Sequence, residues 1–235
     1  MDGTGVRDHG PVRRFAAGLS VGLLAWNTVV HALPGASALY VPLNLAAAAV
    51  VVGAARWHGL SAADLGLRRD RAGAGLRWGG VVAATVAGAL AVAVAVPGLH
   101  PLLDDARVRD LGAGGVAYHA LVRIPLGTVL FEELSFRGAL FGAMTREVGP
   151  WRAAVASSAV FGLWHVRPTL GLLDANDVAA DPIPRVAAVG AAVVFTAAAG
   201  MFFCLLRRAS DSTVAPIVAH TATNSLALLA AAAAR

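Results

Sequence analysis

Three short motifs place polar, chemically active side chains within apolar parts of this 235-residue sequence. The stretch FEELSFRG at 131–138 contains two adjacent glutamates and an arginine. The stretch FGLWH at 161–165 ends in a histidine, and PIVAHTATN at 216–224 contains a histidine and an asparagine. Charged groups are costly in apolar surroundings unless they are paired, and clusters of them often mark functional sites.

The spacing within each motif predicts which side chains face each other on a helix. Glu133 and Arg137 are four residues apart, so they share a face and can pair. Glu132 then points about 100° away around the helix and is free to face another element. His220 and Asn224 are also four residues apart, and Phe161 lies one turn before His165.

A carboxylate and two imidazoles in a dry cavity can hydrolyse an amide bond by two routes. In the first route Glu132 takes a proton from a water while His165 helps to orient that water. In the second route His165 and His220 bind Zn²⁺, which lowers the pKa of the water, with Glu132 as base or third ligand. In both routes Asn224 can donate a hydrogen bond to the oxyanion of the tetrahedral intermediate.

The composition predicts that these motifs lie within a membrane. The chain is 57% hydrophobic with a mean hydropathy of +0.68, and only 14% of its residues are charged, well below the level of soluble domains. Its basic residues are all arginines and lie between apolar stretches instead of forming a basic face. We therefore expect a multi-pass protein of a bacterial plasma membrane, with the lipid bilayer as a partner and no nucleic acid.

Apolar stretches of about 20 residues predict an all-α bundle of transmembrane helices. Pro125 suits the first turn of the fourth span, which would leave residues 113–124 at the interface. Residues 1–112 would hold three spans without a recognised motif, and residues 113–235 the catalytic region, within one membrane domain. The seven predicted spans are 15–33, 36–55, 78–97, 125–145, 152–171, 186–206 and 213–234.

The arginines predict the orientation of the bundle. Twelve fall on one side of the predicted spans and five on the other, so the N-terminus is expected to be cytoplasmic. Glu132, His165 and His220 each lie 12–14 residues from an arginine at the cytoplasmic side, which corresponds to a common depth of about 18–21 Å. In an alternative reading, the first span is a signal peptide cleaved after ASA at 36–38, which would leave six spans.

The three motifs resemble those of the CAAX-protease and bacteriocin-processing family, the Rce-type or ABI intramembrane proteases. The family pattern is E-E-x-x-x-R, F-x-x-x-H and H-x-x-x-N, and this chain has EELSFR at 132–137, FGLWH at 161–165 and HTATN at 220–224. The resemblance covers about residues 125–230. It implies an endopeptidase that cuts a membrane-associated protein or peptide.

The resemblance also implies roles for individual residues. Glu133, Arg137 and Phe161 would support the site, and a bound metal would take His165, His220 and Glu132 as ligands. Family members are described both as metalloproteases and as metal-independent glutamate proteases, so Zn²⁺ remains an open expectation. The catalytic residues implied by the resemblance are Glu132, His165, His220 and Asn224.

Two other functions are compatible with the same residues. A non-catalytic immunity or scaffold protein could keep them for folding or for partner binding. A proton-coupled transporter could use glutamate and histidine as a relay, although the two halves of the sequence show no internal symmetry of the kind that many transporters have.

Overall fold

The fold is all-helical, as the sequence predicts. A computed structural model describes residues 10–32, 35, 37–175 and 182–235, and this part of the chain contains no β-strand. Arg7 of the N-terminal tail and Ala36 of the alternative cleavage site lie outside the described residues. The orientation and the alternative signal peptide therefore stay predictions.

Eight helices make up the described part of the fold. Short helical turns at Arg69–Arg71, Pro97–Leu103 and Ala106–Arg109 lie between them. The helices are α1 (Gly10–Ala32), α2 (Tyr40–Trp57), α3 (Ala72–Ala95), α4 (Ala113–Val148), α5 (Pro150–Trp164), α6 (Val166–Ala175), α7 (Pro182–Ser210) and α8 (Val214–Ala233).

Five helical segments among the described residues are long and apolar enough to cross a membrane. Together with the apolar composition, they identify an integral membrane protein. The predicted number of seven spans is not confirmed, because α1, α5 and α6 are not among the five segments. These are Tyr40–Trp57, Arg69–Ala95, Ala113–Val148, Pro182–Ser210 and Val214–Ala233.

The prediction that Pro125 opens the fourth span is wrong. Helix α4 already begins at Ala113, and Pro125 lies inside it. The helix continues through the proline because His119–Val129 form wider turns of the π type. Such turns can absorb the proline ring and its missing N–H, which would disrupt a regular α-helix.

The prediction of one unbroken span over 152–171 is also wrong, because the helix breaks at His165. Helix α5 ends at Trp164, and α6 begins at Val166 with Pro168 in its first turn. A proline has no N–H for the carbonyl four residues earlier, and its ring collides with that carbonyl. Pro168 thus removes the usual helical donor of the Trp164 carbonyl and explains the break.

Helix α4 lies at the centre of the bundle and contacts α1, α2, α5, α7 and α8. Its middle part is almost continuously buried, from Phe131 to Ala143. Glycines permit close contacts between the surrounding helices: a Cβ added at Gly162 of α5 would lie 2.7 Å from the Val193 carbonyl oxygen of α7. Small residues at such contacts are typical of helix packing in membranes.

The α2–α3 loop, residues 58–68, ties the early helices to the later ones. The Thr213 N–H donates to the Gly66 carbonyl at 2.8 Å, and the Thr213 hydroxyl donates to the Leu65 carbonyl at 2.7 Å. Arg207 of α7 donates to the Asp64 carbonyl at 2.6 Å. These bonds fix the start of α8, the helix that carries His220.

The Asp64 side chain adds an ionic contact between this loop and α4. Its carboxylate accepts hydrogen bonds from Arg146 at 2.5 Å and from the Ser61 backbone at 2.6 Å. Burial by itself raises the pKa of Asp64, but the bonds from Arg146 and Ser61 outweigh burial and lower the pKa. The carboxylate therefore stays charged at neutral pH.

We predict that Gly66→Ala destabilises the fold by more than about 2 kcal/mol. Gly66 has a φ of +65°, and an added Cβ would lie 2.6 Å from the Thr213 hydroxyl and 2.9 Å from the Thr213 nitrogen. Thermal unfolding of the purified protein in detergent measures this loss.

Gly59→Ala is the matched control. Gly59 has a φ of +82°, but an added Cβ would have no atom within 4 Å. It should cost only the backbone strain of the left-handed conformation, about 1 kcal/mol. Equal losses for the two variants would show that the contact with Thr213 does not matter.

Candidate active site

The Glu133 carboxylate joins the first and third motifs. Both Glu133 and Arg137 are fully buried, with 0% of each side chain exposed. The Arg137 Nη1–H donates to Glu133 Oε1 at 3.0 Å, which is the pair that the spacing of four residues predicts. The same oxygen accepts a second hydrogen bond, at 2.8 Å, from Nδ1 of His220 on α8.

Aromatic rings surround the Arg137 guanidinium. Its central carbon lies 3.9 Å from the centroid of the Phe161 ring of α5 and 5.1 Å from that of Phe203 of α7. A guanidinium over an aromatic face is attracted by the ring's negative face, most strongly where water is excluded. Arg137 therefore links α4 to α5 and α7 and balances the buried charge of Glu133.

The His220 imidazole has a hydrogen-bond partner at each nitrogen. Its Nδ1–H donates to Glu133, and its Nε2 accepts a bond from the Asn224 amide at 3.1 Å. The ring also stacks on Phe203, with 5.0 Å between the centroids. An amide group has two N–H donors, so Asn224 keeps a second donor for another acceptor.

The Glu132 carboxylate has no cationic partner among the described residues. Its side chain is buried, and Oε1 accepts a hydrogen bond from the Trp164 indole N–H at 3.2 Å. Oε2 has no hydrogen-bond partner within the described part of the chain, which is also true of Glu133 Oε2. In the described part of the chain, Glu133 is thus held by charged or polar side chains of two helices, whereas Glu132 is held by an indole alone.

The His165 ring, at the break between α5 and α6, has one nitrogen available. Nδ1 donates to the Phe161 carbonyl at 2.8 Å, so Nε2 carries the lone pair. The ring is half-buried and meets the Phe161 ring edge-on, with 4.6 Å between the centroids. Phe161 also meets the His220 ring edge-on, with 6.3 Å between the centroids, and so contacts both imidazoles.

The structure thus brings the three motifs together. No hydrogen bond joins Glu132 to either imidazole in the part of the chain that the structure describes. Instead Glu132 meets Trp164, and Glu133 meets His220. The position of Trp164 beside His165 is visible in the sequence, whereas nothing in the spacing of the motifs indicates Phe203.

The three expected metal ligands, His165, His220 and Glu132, differ in the atoms that they leave available. Both nitrogens of His220 are engaged by other side chains, which leaves His165 Nε2 and Glu132 Oε2 as available donors of the expected set. Among the described residues, no group of three or more His, Cys, Asp or Glu side chains is placed to hold a metal ion.

A comparison with protein families identifies the region that carries these motifs. Residues 115–226 match the family model described as type II CAAX prenyl endopeptidase Rce1-like. The predicted resemblance to the CAAX-protease family is confirmed over this Rce1-like region, which contains all seven of the predicted site residues. Because the family is one of proteases, the match supports protease activity in general and a peptide or protein substrate at a membrane.

No curated protein and no solved structure matches this chain significantly.

We predict that Arg137→Met destabilises the protein by about 3 kcal/mol, because it leaves the Glu133 charge buried without its cation. The methionine keeps an apolar stem against Phe161 but loses the charge. Thermal unfolding in detergent measures the effect. Arg68→Met, which breaks an exposed pair with Asp70, serves as the control and should unfold at the wild-type temperature. Equal unfolding temperatures for the two variants would show that Arg137 does not stabilise the buried Glu133 charge.

Proposed function

We propose that this protein is an intramembrane endopeptidase that hydrolyses a peptide bond of a membrane-associated protein or peptide. The observation that carries the proposal is the buried Glu132 carboxylate, which has no cationic partner among the described residues and one oxygen without any partner. A carboxylate in this state can accept a proton from a water molecule. The match of residues 115–226 to a protease family supports the same activity.

In the proposed first step, Glu132 and His165 prepare a water for attack. Glu132 Oε2 takes one proton of the water, and His165 Nε2 accepts a hydrogen bond from the other. The water oxygen forms a bond with the carbonyl carbon of the substrate, and the carbonyl oxygen becomes an oxyanion. His165 suits the orienting role because Nδ1 is already bound to the Phe161 carbonyl, which fixes the ring.

In the second step the intermediate collapses. The second N–H of the Asn224 amide donates to the oxyanion, and the proton held by Glu132 passes to the nitrogen of the leaving amine. The carbon–nitrogen bond then breaks, the oxyanion forms the carbonyl again, and a carboxylic acid and an amine are released. Asn224 suits this role because its first N–H is fixed on His220 Nε2.

Glu133, Arg137 and His220 support these groups in the proposed mechanism. His220 orients Asn224 through one nitrogen and is itself held by Glu133 through the other. Arg137 balances the charge of Glu133. Binding of Zn²⁺ by His165, His220 and Glu132 stays a prediction. The steps described here do not require a metal.

We predict that Glu132→Gln abolishes cleavage without loss of the folded protein. Gln keeps the size of the side chain and an acceptor for Trp164 but cannot take up a proton at neutral pH. The measurement is a survey of peptide termini in membranes of the native cell, comparing wild type with the variant at equal protein levels. Cut ends that disappear in the variant identify both the proteolysis and the substrate.

Glu147→Gln is the matched control, because it makes the same change near the C-terminal end of α4, away from the candidate site. It should leave the set of termini as in the wild type. Identical termini in wild type and Glu132→Gln, with the variant still complementing any deletion phenotype, would overturn the proposal. That outcome would favour a scaffold or immunity protein instead.

A further inference from the structure

The Trp164 side chain makes the hydrogen bond that holds the Glu132 carboxylate. Its indole N–H donates to Glu132 Oε1 at 3.2 Å, and the side chain is buried. An indole nitrogen can only donate, so this contact suits the charged carboxylate. Because Oε1 is held in this way, the other oxygen is the one left for a water.

The indole ring is held in place by two aromatic neighbours on α4. It packs against Phe131 with 5.8 Å between the ring centroids and meets Phe136 edge-on at 5.7 Å. Both residues lie within four positions of Glu132 on the same helix. The direction of the N–H is therefore fixed relative to the carboxylate that it contacts.

The backbone of Trp164 is held from a third helix. Pro168 removes the helical donor for the Trp164 carbonyl, and that carbonyl accepts a hydrogen bond at 2.6 Å from the Asn27 amide of α1. Buried carbonyls without partners are costly, so this bond stabilises the break. Helix α1, which carries none of the three motifs, thus reaches the candidate site through Asn27.

We infer that Trp164 is a positioning residue for Glu132 and that Asn27 holds Trp164 in place for this task. The indole N–H fixes Oε1 and directs Oε2 to the water that the carboxylate deprotonates. This inference rests on the proposed function. Its alternative is a packing role only, in which the buried ring supports the site by its shape and the hydrogen bond to Glu132 has no effect on the reaction.

The hydrogen bond itself can be tested without a substrate. The chain has five tryptophans, so ¹⁵N-labelled protein purified in detergent should give five indole N–H signals by NMR. Trp164→Phe and Trp26→Phe assign two of these signals, and Trp26 is the matched control because its N–H donates to Asn44 instead. Glu132→Ala should shift the Trp164 signal and leave the Trp26 signal in place. An unchanged Trp164 signal would overturn the inference.

The effect on the reaction is tested with a synthetic peptide that spans a cut site found in the survey of termini. Trp164→Phe should lower kcat about tenfold, as expected for one lost hydrogen bond to a charged group, with KM changed less than twofold. Trp26→Phe should keep the wild-type kcat. A wild-type kcat in Trp164→Phe, or a loss confined to KM, would overturn the positioning role.

A double-variant comparison separates positioning from packing. In Glu132→Asp the carboxylate is one methylene shorter and should no longer reach the indole, so adding Trp164→Phe should cost nothing further. A packing role predicts the same tenfold loss in both backgrounds. If no variant and no wild-type protein cleaves any peptide, the proposed function fails, whereas the NMR result still decides whether Trp164 binds Glu132.

Discussion

A fully buried carboxylate, Glu133, is the group on which the rest of the site depends. A charge with no exposure to solvent is stable only when other groups compensate it, and Arg137 and His220 do so from the same helix and from α8. The guanidinium in turn packs on Phe161 and Phe203. The pair of Glu133 and Arg137 therefore joins four helices, α4, α5, α7 and α8. The neighbouring carboxylate of Glu132 has no charged partner among the described residues.

The irregular parts of the helices lie next to the candidate active-site residues Glu132, Glu133 and His165. Turns of the π type precede and follow Leu130–Glu133, the short segment that carries the two glutamates. The second helix of the site breaks directly at His165, because Pro168 cannot continue the hydrogen-bond pattern. Such departures from regular helices carry a cost that packing must offset, and they are frequent at functional sites. Here the break at His165 frees the Trp164 carbonyl for a tertiary contact with Asn27.

Local geometry in this site could be predicted from the sequence, and tertiary geometry could not. The pairs Glu133–Arg137 and His220–Asn224 follow from a spacing of four residues and form as expected. The choice of Glu133 over Glu132 as the partner of His220 depends on the rotation of α4, which its π-type turns alter. The break at His165 had a visible signal in Pro168, whereas the continuation of α4 through Pro125 had none. Composition predicts where the apolar helices lie, but their ends depend on local features such as the π-type turns around Pro125 and the break before Pro168.

We propose that the two adjacent glutamates have different tasks, with Glu132 serving the reaction and Glu133 the structure. The most direct test compares Glu132→Gln and Glu133→Gln, purified in the same detergent, for thermal unfolding and for cleavage of a peptide identified from the native membrane. We expect the Glu132 variant to unfold at the wild-type temperature without cleaving the peptide, and the Glu133 variant to unfold at a clearly lower temperature. A stable Glu133 variant, or a Glu132 variant that still cleaves, would contradict this proposal.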